Sequence, residues 1–146
     1  MTTEHKQSRV DVLSKEGLRS SATISAEESH VGTELKYRIK VSYEGGMISE
    51  ESEVGFFDAL CKARLVLERQ GALLCCFGAS EDVYPSPMQE AMGPALLAYR
   101  TELGRQALSK NIVNILDSDV SVRPSTVEQQ RAFHKRWLQS LAAGQK

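Results

Sequence analysis

The sequence lacks most of the features that assign a function on sight. No apolar run approaches the roughly 20 residues a helix needs to cross a bilayer. The first ten residues are polar and carry no apolar signal core. Together these absences lead us to expect a cytoplasmic protein. Cysteine is scarce, with only Cys61, Cys75 and Cys76. An odd count with an adjacent pair is not a disulfide framework, so reduced, buried thiols are expected. Neither sign of charge dominates: 18 Lys and Arg stand against 19 Asp and Glu. A general nucleic-acid binder needs a concentrated basic face, and none is expected here.

Recognisable chemistry is missing too. His5, His30 and His134 each stand alone, without the short spacing that puts metal ligands on one face. In a strand Cys75 and Cys76 point to opposite faces and do not converge on one metal. Ser86 lies between two prolines rather than in a Gly-x-Ser-x-Gly elbow. Gly45, Gly46, Gly93 and Gly104 do not have the spacing of a phosphate-binding loop. We therefore expect no metal, no cofactor and no catalytic residue, and read the chain as no enzyme. There is no internal repeat and no low-complexity linker.

What is present is globular. The chain has 146 residues, 41% hydrophobic and 25% charged, enough for one ordinary domain with its own core. Residues 1–15 are polar and are expected to fray, leaving 16–146 as a single domain. Weak alternation over 18–25 predicts an edge strand. Residues 33–43 alternate cleanly: Leu35, Tyr37, Ile39, Val41 and Tyr43 share one face, and charged residues share the other. Gly45-Gly46 then predicts a turn. A helix is expected over 54–70, with Ser52 as N-cap and Gly71 just past its end. The short apolar run at 72–79 reads as a buried strand.

Residues 80–93 are punctuated by Pro85, Pro87 and Gly93 and read as a loop, with one helical turn at 89–92. Residues 96–103 read as a strand, with a helix as competitor. Residues 112–116 read as another strand. Ser125 and Glu128 have capping-box spacing and open a last helix. Phe133, Trp137 and Leu141 repeat at four along it and are expected to be buried against the sheet. The fold class that follows is α+β, a mostly antiparallel sheet of about five strands with two main helices packed on it.

Two surfaces are candidates for binding. Glu50, Glu51, Glu53 and Asp58 form the densest acidic patch, either a solvated helix start or a docking face for a basic partner. Tyr84, Ser86 and Gln89, in the loop ahead of Arg100, are candidates for contact with a partner or ligand. Arg131, Lys135 and Arg136 make a modest basic side of the last helix, expected to be solvated surface.

One resemblance adds to this reading. Residues 83–141 carry Tyr84-Pro85-Ser86-Pro87-Met88, Met92-Gly93, Ala98-Tyr99-Arg100 and Leu103-Gly104. Asn114-Ile115-Leu116-Asp117 follows, then Thr126-Val127-Glu128-Gln129-Gln130 leading to Trp137-Leu138. In this order they resemble immunity proteins of bacterial polymorphic-toxin and contact-dependent growth inhibition systems. The resemblance covers under half of the chain. It implies a cytoplasmic antidote that binds the toxic C-terminal domain of a delivered effector and covers its active site. No membrane and no direct nucleic-acid contact are implied, and no individual residue is carried over as a toxin contact. Two other readings stand beside it. One is a small regulatory or adaptor domain of a secretion or mobile-element system. The other is a small ligand-binding enzyme with its site at the 80–93 loop.

Overall fold

The computed structural model describes residues 1–91 and 96–143. Four antiparallel strands run in chain order: Thr2–Ser14 (β1), Arg19–Val31 (β2), Glu34–Tyr43 (β3) and Gly46–Ser52 (β4). A fifth, Ala72–Cys75 (β5), pairs with the end of β1, giving the order β4-β3-β2-β1-β5. Period-two side chains fix the register. Ile24 faces Val41 and Ala26 faces Ile39, while Val41 also faces Ile48. All five are buried on the same side. Onto that side packs the helix Phe56–Arg69 (α1), through Phe56, Leu60, Ala63 and Leu67. The expected α+β class and the face assignment of 33–43 are observed.

Four sequence-based expectations fail in this half. Residues 1–15 are not a frayed tail: they form β1, an interior strand paired over eleven positions with β2. Only Val10 and Val12 of that strand are buried apolar residues, so its polar outer half gives no alternation to read. The segment around 18–25 lies in β2, which runs on to Val31 between β1 and β3 and is not an edge. Glu50 and Glu51 do not lead directly into the helix; they belong to the edge strand β4. Ser52 is not the N-cap either, because Gly55 holds that position. The Ser52 hydroxyl instead accepts from the amides of Val54 (2.9 Å) and Gly55 (3.3 Å) and donates to Asp58 (2.7 Å). Gly71 does end the helix, with φ 78° and its amide donating to the Glu68 carbonyl.

After β5 the chain does not continue as a strand to 79. It makes a 3₁₀ turn over Phe77–Ala79. Gly78 permits this: a Cβ there would lie 2.4 Å from Leu60 Cδ2 and 2.9 Å from Ile115 Cβ. A second, three-stranded antiparallel sheet follows. It is built from Val83–Tyr84 (β6), Leu97–Arg100 (β7) and Ile112–Asn114 (β8), in the order β6-β7-β8. The strand reading of 96–103 therefore holds over its central part. Pro87–Glu90 (α2) makes the expected helical turn two residues early; Met92 lies outside the described residues.

The last helix, Val127–Ala143 (α3), lies on β6 and α1. Its capping box is one residue later than expected. Thr126 Oγ1 accepts from the Gln129 amide at 3.0 Å, and Gln129 Oε1 accepts from the Thr126 amide at 2.9 Å. A buried polar knot joins α3 to the rest. Gln130 of α3 and Arg64 of α1 are 0% and 2% exposed. Gln130 Nε2 reaches the carbonyls of Gly78 (2.9 Å), Ser80 (2.9 Å) and Val83 (2.8 Å). Arg64 donates to Gln130 Oε1 (2.5 Å), Gly78 O (3.2 Å) and Ser125 O (2.9 Å). Three neutral oxygens thus hold the guanidinium without a carboxylate in hydrogen-bond contact, and burial pulls its pKa below the usual value.

Candidate functional site

The sheet separates Glu50 from Glu51, while Glu51, Glu53 and Asp58 line one cleft with Lys36 and Lys62 at the β4 edge. Glu50 faces Ile39 and lies on the helix side with Ile48 and Ser52, whereas Glu51 faces Arg38 on the outer side. There Glu51 pairs with Arg38 and with Lys36 (3.7 Å), and Arg38 and Lys40 also meet Glu27. The Arg38 hydrogen bond holds the Glu51 carboxyl below its usual range. Asp58 pairs with Lys62 at 3.6 Å, and Lys62 also donates to the Glu51 carbonyl. Glu53 is exposed. Glu51 and Asp58 are thus paired with cations, whereas Glu50 and Glu53 have no ion pair among the described residues, so the surface is mixed rather than purely anionic.

The other candidates converge better. Tyr84 sits on β6, Tyr99 on β7, and His134, Trp137, Leu138 and Leu141 on one side of α3. With Pro85, Ser86 and Pro87 they line a pocket of about 420 Å³. Each wall has a local cause. Tyr84 is fixed because the Val83 carbonyl before it is bound by Gln130. Ser86 and Gln89 form a reciprocal capping box on α2: Ser86 Oγ accepts from the Gln89 amide at 3.1 Å, and Gln89 Oε1 accepts from the Ser86 amide at 2.8 Å. Gln89 is buried and engaged there, so of the three loop candidates only Tyr84 and Ser86 reach the pocket. The far wall, residues 101–107, is tied to α3 by Trp137 Nε1 donating to the Arg105 carbonyl (2.9 Å) and the Gly104 amide donating to Ser140 Oγ (2.8 Å).

Aromatic rings run in a file from the core to this pocket. Phe57 meets Tyr84 edge-on at 5.1 Å. Tyr84 stacks on His134 at 4.0 Å and 13°, and His134 leans on Trp137 at 5.8 Å and 27°. Trp137 and Leu141 are therefore half-buried pocket walls, which corrects the expectation that they lie buried against the sheet; Phe133 alone of the three is fully buried. The periodicity gave the face of the helix but not what that face meets.

The chemistry of this pocket is recognition chemistry. No charged side chain lines it. Burial pushes the His134 pKa down, so the imidazole is neutral near pH 7. Its Nδ1 is buried and makes no hydrogen bond among the described residues. A catalytic histidine is normally oriented by a third group through that atom. Ser86 Oγ accepts from Gln89, and no hydrogen bond joins it to His134. Arg100, near the same loop, is held by Asp82 (2.8 Å) and by Ser121 in a neighbouring polar cleft. All three thiols are buried, and burial pushes Cys76 up to about 11. Among the described residues no group of three potential ligands is placed to hold a metal ion, and no helix is long and apolar enough to cross a membrane.

Sequence reasoning named Tyr84 and Ser86 but missed Tyr99, His134 and Trp137 as partners of the same pocket. The signal available was weak: an aromatic residue in each of three segments that the topology alone brings together. Comparison of the chain with models of known protein families and with curated proteins finds no match.

Proposed function

We propose that this chain is a non-catalytic binding protein that neutralises a cognate bacterial toxin domain in the cytoplasm. We place its docking surface at the aromatic pocket. One observation carries the reading: the segments that bear the resemblance to immunity proteins meet at this pocket. Tyr84-Pro85-Ser86-Pro87, Tyr99 and Trp137-Leu138 lie far apart in sequence and line one concavity. Tyr and Trp anchors on a rigid framework are what a protein interface uses for most of its binding energy. An antidote of this kind needs affinity and no chemistry of its own. The partner is a protein; neither a membrane nor nucleic acid is required.

The test is co-expression with the C-terminal domain of the effector encoded beside this chain, read by growth and co-purification. Protection together with a stable complex supports the proposal. A chain that neither restores growth nor co-purifies overturns it.

A further inference from the structure

Residues 102–110 run beside the pocket without joining either sheet. Apart from Ala107 every residue in them is exposed, Leu103 and Leu108 to 49% and 51%. Besides the bonds to Asn111 and Ile112, where the segment ends, only two hydrogen bonds leave it among the described residues. Both go to α3: Trp137 Nε1 donates to the Arg105 carbonyl (2.9 Å), and the Gly104 amide donates to Ser140 Oγ (2.8 Å). Arg105 pairs with Glu102, inside the segment. The two ends are fixed. The Thr101 amide and hydroxyl both donate to the Asp82 carbonyl (2.7 and 2.9 Å), and Ile112 pairs with Tyr99. Gln106 and Ala107 line the aromatic pocket, while Arg105, Gln106, Leu108 and Lys110 line a second cavity of about 530 Å³. The segment is therefore a partition between two voids, with room to move.

We propose that residues 102–110 form a hinged strap that lifts from α3 as one unit and so opens the aromatic pocket, with the Trp137–Arg105 and Gly104–Ser140 bonds as its latch. Lifting costs little. Leu103 and Leu108 are already half in water, so little apolar burial is lost. Both latch bonds join neutral groups, which rebond to water when released. No residue of the strap is buried, the condition under which a segment opens far more readily than the fold around it unfolds. One hinge falls at the buried Thr101. The other falls at Asn111, whose amide and side chain close a ring with Leu108. The two latch bonds share one turn of α3, where Ser140 Oγ also donates to the Trp137 carbonyl (2.6 Å), so the strap leaves both together. Lifting takes away the Gln106 and Ala107 wall and joins the pocket to the second cavity. Access is gated in this way whatever docks there, toxin domain or not.

The test breaks each latch bond and reads the other, in the full chain without a partner. Trp137→Phe keeps an aromatic wall and removes the indole donor to Arg105. Its readout is amide hydrogen exchange at Gly104, whose own bond to Ser140 is untouched. A concerted strap predicts exchange about five-fold faster there, the worth of one neutral hydrogen bond. The amides of β2, β3 and Thr101 should keep their wild-type rates. Ser140→Ala removes the acceptor for Gly104 and is read at Trp137, the sole tryptophan. Its emission should shift to the red and be quenched more strongly by acrylamide, because the indole loses its partner when the strap lifts. Gly104 exchange unchanged in Trp137→Phe, or Trp137 emission unchanged in Ser140→Ala, overturns the proposal. So does an equal acceleration at β2 and β3, which would mean that the whole fold opens and not the strap.

Discussion

Replacing Gln130 by Met isolates the buried polar knot. Methionine keeps the length of the side chain and its helix propensity and removes both polar atoms. The amide nitrogen carries two hydrogens and stands 2.8–2.9 Å from three carbonyls, so about two ordinary hydrogen bonds are lost. The Oε1 acceptor for Arg64 is lost as well. Two neutral bonds at about 1 kcal/mol each, and one to a charged group at about 1.5–3, sum to about 3–5 kcal/mol. Apolar burial of the new side chain offsets little, because its surroundings are carbonyls and a guanidinium. For a chain of this length each kcal/mol shifts the melting temperature by roughly 2–4 °C, so a fall of about 10 °C is expected. The internal control is Gln129→Met one residue earlier, at an exposed position whose only role here is the capping box; it should cost about 0.5–1 kcal/mol. Urea melts of both variants decide the matter. A Gln130→Met loss below about 1 kcal/mol, or one no larger than that of Gln129→Met, would refute the account of how α3 is anchored.

Other outcomes follow from the same structure. Phe133→Ala, in the core, should cost about 3–5 kcal/mol by denaturant melt, while Trp137→Ala, a half-buried pocket wall, should cost clearly less. Burial lowers the His134 pKa in the fold, so the unfolded chain takes up that proton first. Stability should therefore be full above the unfolded value of about 6.5 and fall as pH drops below it; His134→Gln should flatten that slope between pH 7 and 5. Cys61, Cys75 and Cys76 should react slowly with a thiol reagent in the native state and quickly in denaturant, since burial raises all three pKa values. Glu51→Lys should lower stability by about 0.5–1 kcal/mol by breaking the Arg38 pairing, whereas Glu53→Lys should change it by less than about 0.5.

How much of this was legible in the sequence varies by segment. The alternation of 33–43 and the apolar stripe of 56–69 survive because each element buries one clear face. β1 was hidden because its first eight residues are polar and its fixed position comes from pairing with β2 along the backbone, which leaves no mark on side-chain polarity. β4 was hidden because Ile48 is its only buried apolar residue, beside Glu50 and Ser52. Arg64 offered a signal that could have been used: an arginine amid Leu60, Ala63 and Leu67 on the buried side of a helix requires acceptors. Its partner Gln130 lies 66 residues away and could not be named. The pocket was legible only in pieces, since three separate segments supply its rings.

The central claim is that the aromatic pocket, not the acidic patch, is where the partner docks. Its most direct test is titration of the purified toxin domain with wild-type chain, Leu138→Glu and Glu53→Lys, reading the dissociation constant of each. The account predicts that Leu138→Glu weakens binding by about 30-fold or more, as removal of an interface anchor does, while Glu53→Lys leaves it within about two-fold. Undiminished binding by Leu138→Glu, with loss confined to Glu53→Lys, would contradict it.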